Sequence, residues 1–281
     1  MKVYLLNTQD TVMVVGSSGF LGGMVAYLLA QVVTIVPTHC SHRYFPSSIS
    51  YDFFRDDIRD VLDQFNVNTV IFCATVEREP TTDVQASMER FVRGCKERRM
   101  IYLSSDGVFD GSRGMYTEEE IPAPCTLYGC NLFMCEQLVA THCPNFCIIR
   151  PSYIYGFSNG QLDKRLAHTC KSLKVGEEVT LFNDMYKSPL GVQQVAEAVI
   201  NLSFSDYNGI VHAAGERLSV FDFHYQAMET LGVNTRFLRH CSMPSDGEFM
   251  RDTSLSSSLW QELTGMEPMT VSQTLLHQIA A

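Results

Sequence analysis

A chain of 281 residues, 46% of them hydrophobic and 19% charged, carries enough apolar material to close one large α/β core or two interleaved smaller ones, and too much to stay unfolded. Its net charge of −10 excludes nucleic acid as the main partner, because a polyphosphate backbone demands a basic surface, yet one locally positive pocket can still serve a single dinucleotide. No apolar run reaches the ~20 residues of a membrane span. The first ten residues hold one lysine and no long apolar core, so they do not read as a secretory signal, and the expectation is a cytoplasmic protein that binds no membrane and keeps its ten cysteines reduced.

Residues 11–15 (TVMVV) are short, β-branched and apolar, as a buried strand is, and residues 20–31 space their apolar side chains as a helix does. Residues 32–37 read as a second strand, 56–65 as a helix, 69–74 as a third strand and 84–98 as a helix with a charged face. A strand at 100–104 leads into a turn-rich stretch to about Leu127, then a helix at 128–142 and a strand at 146–150. Strands alternating with helices predict a Rossmann-like, doubly wound parallel sheet covered on both faces. The second half is less regular: a helix at 192–202, a strand at 209–213, a helix at 219–231 with Ser219 as its N-cap, and a carboxy-terminal helix at 270–281. The expected division is a dinucleotide-binding domain over 1–150, with 151–281 completing the sheet and forming a smaller substrate lobe, the two interleaved.

Gly16-Ser17-Ser18-Gly19-Phe20-Leu21-Gly22 follows the first strand and opens the first helix. Gly16 permits the tight turn, Gly19 lets main chain approach a pyrophosphate, and Gly22 allows helix to pack closely on strand. The free N–H groups of Ser18, Phe20 and Leu21 at the helix start suit an anion. A bare GxxGxxG is weak; one between the first strand and helix of a βαβ series is much stronger. A nicotinamide dinucleotide is the expected ligand. The usual acid after the second strand is missing from Thr38-His39-Cys40-Ser41-His42-Arg43. Arg43, with His42 and Ser41, suits a 2′-phosphate, which favours NADP and leaves NAD as the alternative; the competing reading makes Arg43 a solvated loop charge.

Ser104-Ser105-Asp106 follows the strand at 100–104, and Tyr128-Gly129 opens a later helix. A hydroxyl at a strand's carboxyl end and a phenol on the next helix converge where open α/β sheets bind ligands, and together they can hold a carbonyl oxygen and protonate it. With the glycine turn, the run Leu103 to Gly111 (LSSDGVFDG), Tyr116-Thr117-Glu118-Glu119, Pro124, Tyr128-Gly129, Glu136, Ile149 to Gly156 (IRPSYIYG), Ser188-Pro189-Leu190 and Val211 to Glu216 (VHAAGE), the chain resembles the extended short-chain dehydrogenases/reductases, and among them the dTDP-4-dehydrorhamnose reductases. The resemblance runs nearly the whole length, to residues 251–259. It implies Ser105 as the catalytic Ser/Thr and Tyr128 as the catalytic acid. It also implies Asp52 and Phe53 at the adenine, Cys73, Ala74 and Thr75 along the cofactor, and Pro151 and Tyr153 against the nicotinamide end. The implied partner is a nucleotide-linked 4-keto-6-deoxy sugar, with a homodimer as one option for assembly.

The resemblance breaks at two places. The family motif YxxxK requires lysine where this chain has Leu132, and Cys130, Asn131 and Phe133 bring no charge. An unassisted phenol, with a pKa of ~10, is a poor relay near neutrality. Gly107 stands where the family often has tyrosine. Two readings follow: a reductase of reduced activity, or a dinucleotide-binding regulatory or scaffold protein that has lost turnover. The eight histidines show no metal-ligand spacing, and His212 reads as structural. Asp106, Asp110 and the acids at 118–120 read as a solvated acidic loop, with the rim of a substrate loop as the alternative.

Overall fold

A computed structural model describes residues 10–244 and 250–280; residues 1–9, where a signal segment was sought, and Ala281, the expected end of the last helix, lie outside it. The first half runs β1 (Thr11–Val15), α1 (Phe20–Leu29), β2 (Thr34–His39), β3 (Ile49–Ser50), α2 (Ile58–Phe65), β4 (Thr69–Phe72), α3 (Thr81–Cys95), β5 (Arg99–Leu103), α4 (Leu127–His142) and β6 (Phe146–Pro151). The short strands β7 (Ile154–Tyr155), β8 (Phe157–Ser158) and β9 (Gln161–Leu162) lead to α5 (Lys164–Lys174), β10 (Val179–Phe182), β11 (Tyr186–Lys187), β12 (Leu190–Gly191) and α6 (Val192–Ser203). The chain ends with β13 (Gly209–Ala213), β14 (Leu218–Ser219), α7 (Val220–Thr230), β15 (Leu238–Cys241), α8 (Ser258–Thr264) and α9 (Val271–Ala280).

Seven strands form one parallel sheet in the order β13-β6-β5-β4-β1-β2-β3. The chain builds outward from β1 to β3, then returns to the other side of β1 with β4. That reversal leaves a crevice at the carboxyl ends of β1 and β4. Alternate residues of each strand feed two cores. Met13, Val15, Phe72, Tyr102 and Ile148 pack with Leu62, Phe91 and Val139 of α2, α3 and α4. Val12, Val14, Ile71, Ile101 and Ile149 pack with Val25 and Leu29 of α1, Val195 and Val199 of α6, and Trp260 of α8. A third core joins Tyr153, Tyr155, Leu166, Phe223, Leu238 and Leu275 around α5, α7 and α9.

Several boundaries differ from expectation for local reasons. The N–H groups of Val32 and Val33 both bond back to the Leu29 carbonyl, so β2 starts two residues late, at Thr34, and continues to His39. Pro37 is tolerated there because β3 pairs only with Thr38 and His39. Helix α5 was missed because its apolar stripe is thin: of the buried residues Leu166, Thr169, Ser172 and Leu173, two are polar. Its start is marked instead by Asp163, whose carboxylate accepts from Arg165 and Leu166 N–H.

Candidate active site

The glycine turn sits at the sheet's reversal point. Gly16 has φ +83°, and a Cβ there would stand 2.8 Å from Ala74 Cα, so β4's exit loop crosses directly against it. A Cβ on Gly22 would drive into the Gly16 carbonyl, which lets α1 lie tightly on the turn. Thr38 at the end of β2 holds the turn from the side: its Oγ1 accepts from Gly16 N–H, and its carbonyl accepts from Ser17 N–H and Oγ. Helix α1 then opens with Gly19 as N-cap, no side-chain cap and no acid in the first turn. Ser18 and Gly19 are exposed, Phe20 and Leu21 half-buried. The orphan N–H groups of this first turn and the positive end of the helix dipole therefore face outward undischarged.

Flanking positions divide. Cys73 and Ala74 are half-buried and Thr75 is exposed, directly after β4. Burial pushes the Cys73 thiol up to about 12. Arg43 is exposed, and its guanidinium donates to the Pro46 carbonyl. Asp52 accepts from Phe54 N–H and pairs loosely with Arg55. The Phe53 ring is turned into the core against Phe72 and Phe91. Beside it a cavity of about 460 Å³ opens between Phe54, Ser87 and Arg90, residues no sequence signal singled out. Pro151 closes β6, and two residues on the Tyr153 ring packs on Phe223 under Arg165, in the third core.

Ser105 and Tyr128 come together. Ser105 leaves β5, and Tyr128 is lifted to it by α4, whose Thr126 cap accepts from Gly129 N–H at 3.0 Å. Burial, then Glu77 and Asp106, disfavour the Tyr128 phenolate and outweigh the help of the Ser105 hydroxyl, so the phenol is pushed up to about 12. Leu132 is 1% exposed and lies in the core. Gly107 makes room for the tyrosine: a Cβ there would already touch the Tyr128 ring at 3.3 Å. Arg78, from the loop after β4, places its guanidinium carbon 5.1 Å from the ring centre.

Asp106 is not a solvated loop acid. It is 5% exposed and sits at the hub of a network. Its Oδ1 accepts from Ser105 Oγ at 2.9 Å, and its Oδ2 accepts from Lys187 Nζ at 2.8 Å, Thr253 Oγ1 at 2.6 Å and Ser152 Oγ at 3.1 Å. Burial alone would raise its pKa; the Lys187 charge and these donors outweigh that and lower it. Nothing in the sequence places Lys187, 81 residues away in the chain, beside Asp106. Asp110 is also engaged, accepting from Tyr116 Oη at 2.6 Å, and so closes the Phe-Asp-Gly loop on itself. Glu118 accepts the His212 N–H at 2.9 Å. His212 is fully buried, and burial together with the nearby Arg150 charge lowers it to about 3, as befits a structural residue. Below α4, Glu136 and Arg150 form a buried bidentate pair at 2.8 and 2.6 Å.

A strand order that reverses beside a glycine turn, with a serine and a tyrosine meeting one strand further on, is the architecture of the extended short-chain dehydrogenases/reductases. Within it the chain belongs to the RmlD substrate binding domain family, whose profile matches residues 10–280. It is 26% identical to the probable low-salt glycan biosynthesis reductase Agl14 of Haloferax volcanii over 250 residues, 82% of this chain and 83% of that one. It is 25% identical to the methionine adenosyltransferase 2 subunit beta of Danio rerio over 67% of its length, spanning 58% of that relative. Its fold matches dTDP-4-dehydrorhamnose reductase from Bacillus anthracis, solved in complex with NADP, with a TM-score of 0.81 at 17% identity over 96% of this chain and 99% of that one. Among the described residues no helix is long and apolar enough to cross a membrane, and no His, Cys, Asp and Glu cluster forms a metal site.

Proposed function

We propose that the chain binds a nicotinamide dinucleotide, NADP in preference to NAD, and reduces the keto group of a nucleotide-linked 4-keto-6-deoxy sugar. The observation that carries the reading is the packing of the Tyr128 ring against the turn that Ser105 opens, beside the crevice at Gly16. The residues fit a diphosphate: the absence of Cβ atoms at Gly16 and Gly22 lets the turn close against Ala74 and α1 close against the turn, and the first turn of α1 carries no competing acid. The exposed Ser41, His42 and Arg43 just beyond β2 supply donors for a 2′-phosphate. The NADP complex of the Bacillus anthracis relative and the reductase name of the Haloferax relative support the same choice.

When bound, the reduced dinucleotide supplies hydride to the carbonyl carbon. The Ser105 hydroxyl, whose one proton goes to Asp106 Oδ1 here, turns that proton to the carbonyl oxygen when substrate is bound, and the Tyr128 hydroxyl donates a proton to the same oxygen. A phenol pushed up to about 12 remains protonated at neutral pH. It is thus a filled proton donor for reduction and a poor base for alcohol oxidation, which favours turnover toward the alcohol. NADPH oxidation in the presence of a dTDP-4-keto-6-deoxy sugar is the test. Native protein should turn over, and Tyr128→Phe should lose about 10²–10⁴-fold in kcat. Absence of NADPH binding at millimolar concentration refutes the reading.

The second reading, a dinucleotide-binding regulatory or scaffold protein, is favoured by Leu132, which is buried where the YxxxK pattern needs a cation. The likeness to a methionine adenosyltransferase 2 subunit beta is consistent with it. NADPH binding without turnover in the native chain, and turnover in Leu132→Lys, would select this reading.

A further inference from the structure

Leu132 deprives Tyr128 of a cation from its own helix, and the fold brings one from another element. Arg78 follows β4, four residues beyond Ala74, which crosses Gly16. Its guanidinium lies over the Tyr128 ring, 5.1 Å from the ring centre. Arg78 is exposed, and among the described residues no acid or carbonyl takes its N–H groups. A guanidinium in this state is a planar fork of five donors, seated on an aromatic face and free on its edge.

Resting on the reading of Tyr128 as the proton donor, we propose that Arg78 is the positioning residue that takes over from the missing lysine, fixing the Tyr128 ring and offering its free donors to an oxygen of the dinucleotide bound along the Gly16 turn. Lysine on α4 would reach the phenol from the core side, which Leu132 now fills. Arg78 reaches it from the exposed side. Every charged group facing the phenol enters the balance: Glu77 and Asp106 disfavour its ionisation, Arg78 favours it, the Ser105 hydroxyl favours it by hydrogen bonding, and Lys187 offsets Asp106 from behind.

The experiment compares native protein, Arg78→Met and Arg78→Lys. In the cofactor-free state, the ¹³C ring resonances of Tyr128, assigned with Tyr128→Phe, should shift in Arg78→Met at neutral pH. Calorimetry should give NADPH binding about tenfold weaker in Arg78→Met, the loss of one charge-assisted hydrogen bond, and partial recovery in Arg78→Lys. With substrate, kcat should fall with little change in the sugar KM. Unchanged Tyr128 resonances, NADPH affinity and kcat in a folded Arg78→Met overturn the proposal while leaving the reductase reading intact. A native chain that binds no NADPH overturns both, and it is recognised before any variant is made.

Discussion

Exchanging Lys187 for methionine keeps most of the side-chain volume and removes the charge that balances Asp106. In the native chain the Lys187 ammonium, 2.8 Å from Asp106 Oδ2, helps hold that carboxyl below its ordinary range against the upward push of burial. Without the ammonium, burial dominates and the folded-state pKa rises above the unfolded value. Removing one partner of a buried ion pair costs about 3–5 kcal/mol, which in a chain of this size is a fall in Tm of roughly 10 °C. The pH dependence carries the diagnosis. Native Asp106, with a lowered folded pKa, adds stability that is fully present above the ordinary Asp value of ~4 and is lost only as pH falls through the lowered value. In Lys187→Met the sign inverts, because an acid with a raised folded pKa loses stability as pH climbs from ~4 toward that raised value. Urea unfolding of both proteins at pH 7.5 and 4.5 should therefore show a stability difference that shrinks by at least about 1.4 kcal/mol, one pK unit, at the lower pH. An equal difference at both pH values would refute the reasoning, since the buried carboxylate would then not be the group left unbalanced.

Gly22→Ala should cost about 1–3 kcal/mol and weaken NADPH binding at least tenfold by calorimetry, because its methyl group is aimed at the Gly16 carbonyl and forces α1 off the turn. His212, lowered to about 3, and the buried His224, lowered to about 4, are neutral in the fold and must take up protons on unfolding. Each contributes stability that is present above pH ~6.5 and lost as pH falls toward its folded value, about 2 kcal/mol each by pH 5; His212→Gln should flatten this slope in thermal melts if its packing survives. A thiol-reactive chromophore should label Cys40, Cys125, Cys130 and Cys241 quickly in the folded protein. Cys135, Cys143 and Cys147, all pushed up to about 12 by burial, should label only on unfolding.

The parts of the molecule governed by local rules were readable in advance. The βα alternation, the turn at Gly16 and the Ser219 cap, which does accept from Asp222 N–H, each depend on a few adjacent residues. Thin patterns hid α5 and the two-residue strands around it. At the candidate site, Ser105 and Tyr128 were visible as motif residues, but their environment was not. Asp106 resembled any polar loop acid until Lys187 and Thr253 were brought to it across 81 and 147 positions of sequence. Arg78 was likewise one of many charged loop residues until its side chain crossed the Tyr128 ring. Nor does a motif position show how Tyr153 and Phe53 pack: neighbouring aromatic rings hold both side chains inward.

The Glu118–His212 contact has a consequence for how copies of the chain behave toward one another. β13 borders the sheet, and a bare border strand is a template onto which a foreign strand can add. Here its outward groups are already spoken for: the Ile210 carbonyl takes the Tyr207 hydroxyl at 2.9 Å and the His212 amide is held by Glu118. The opposite border, β3, is only two residues long. Both flanks of the sheet are thereby blunted against fibrous growth, and Glu118→Ala would reopen the longer one.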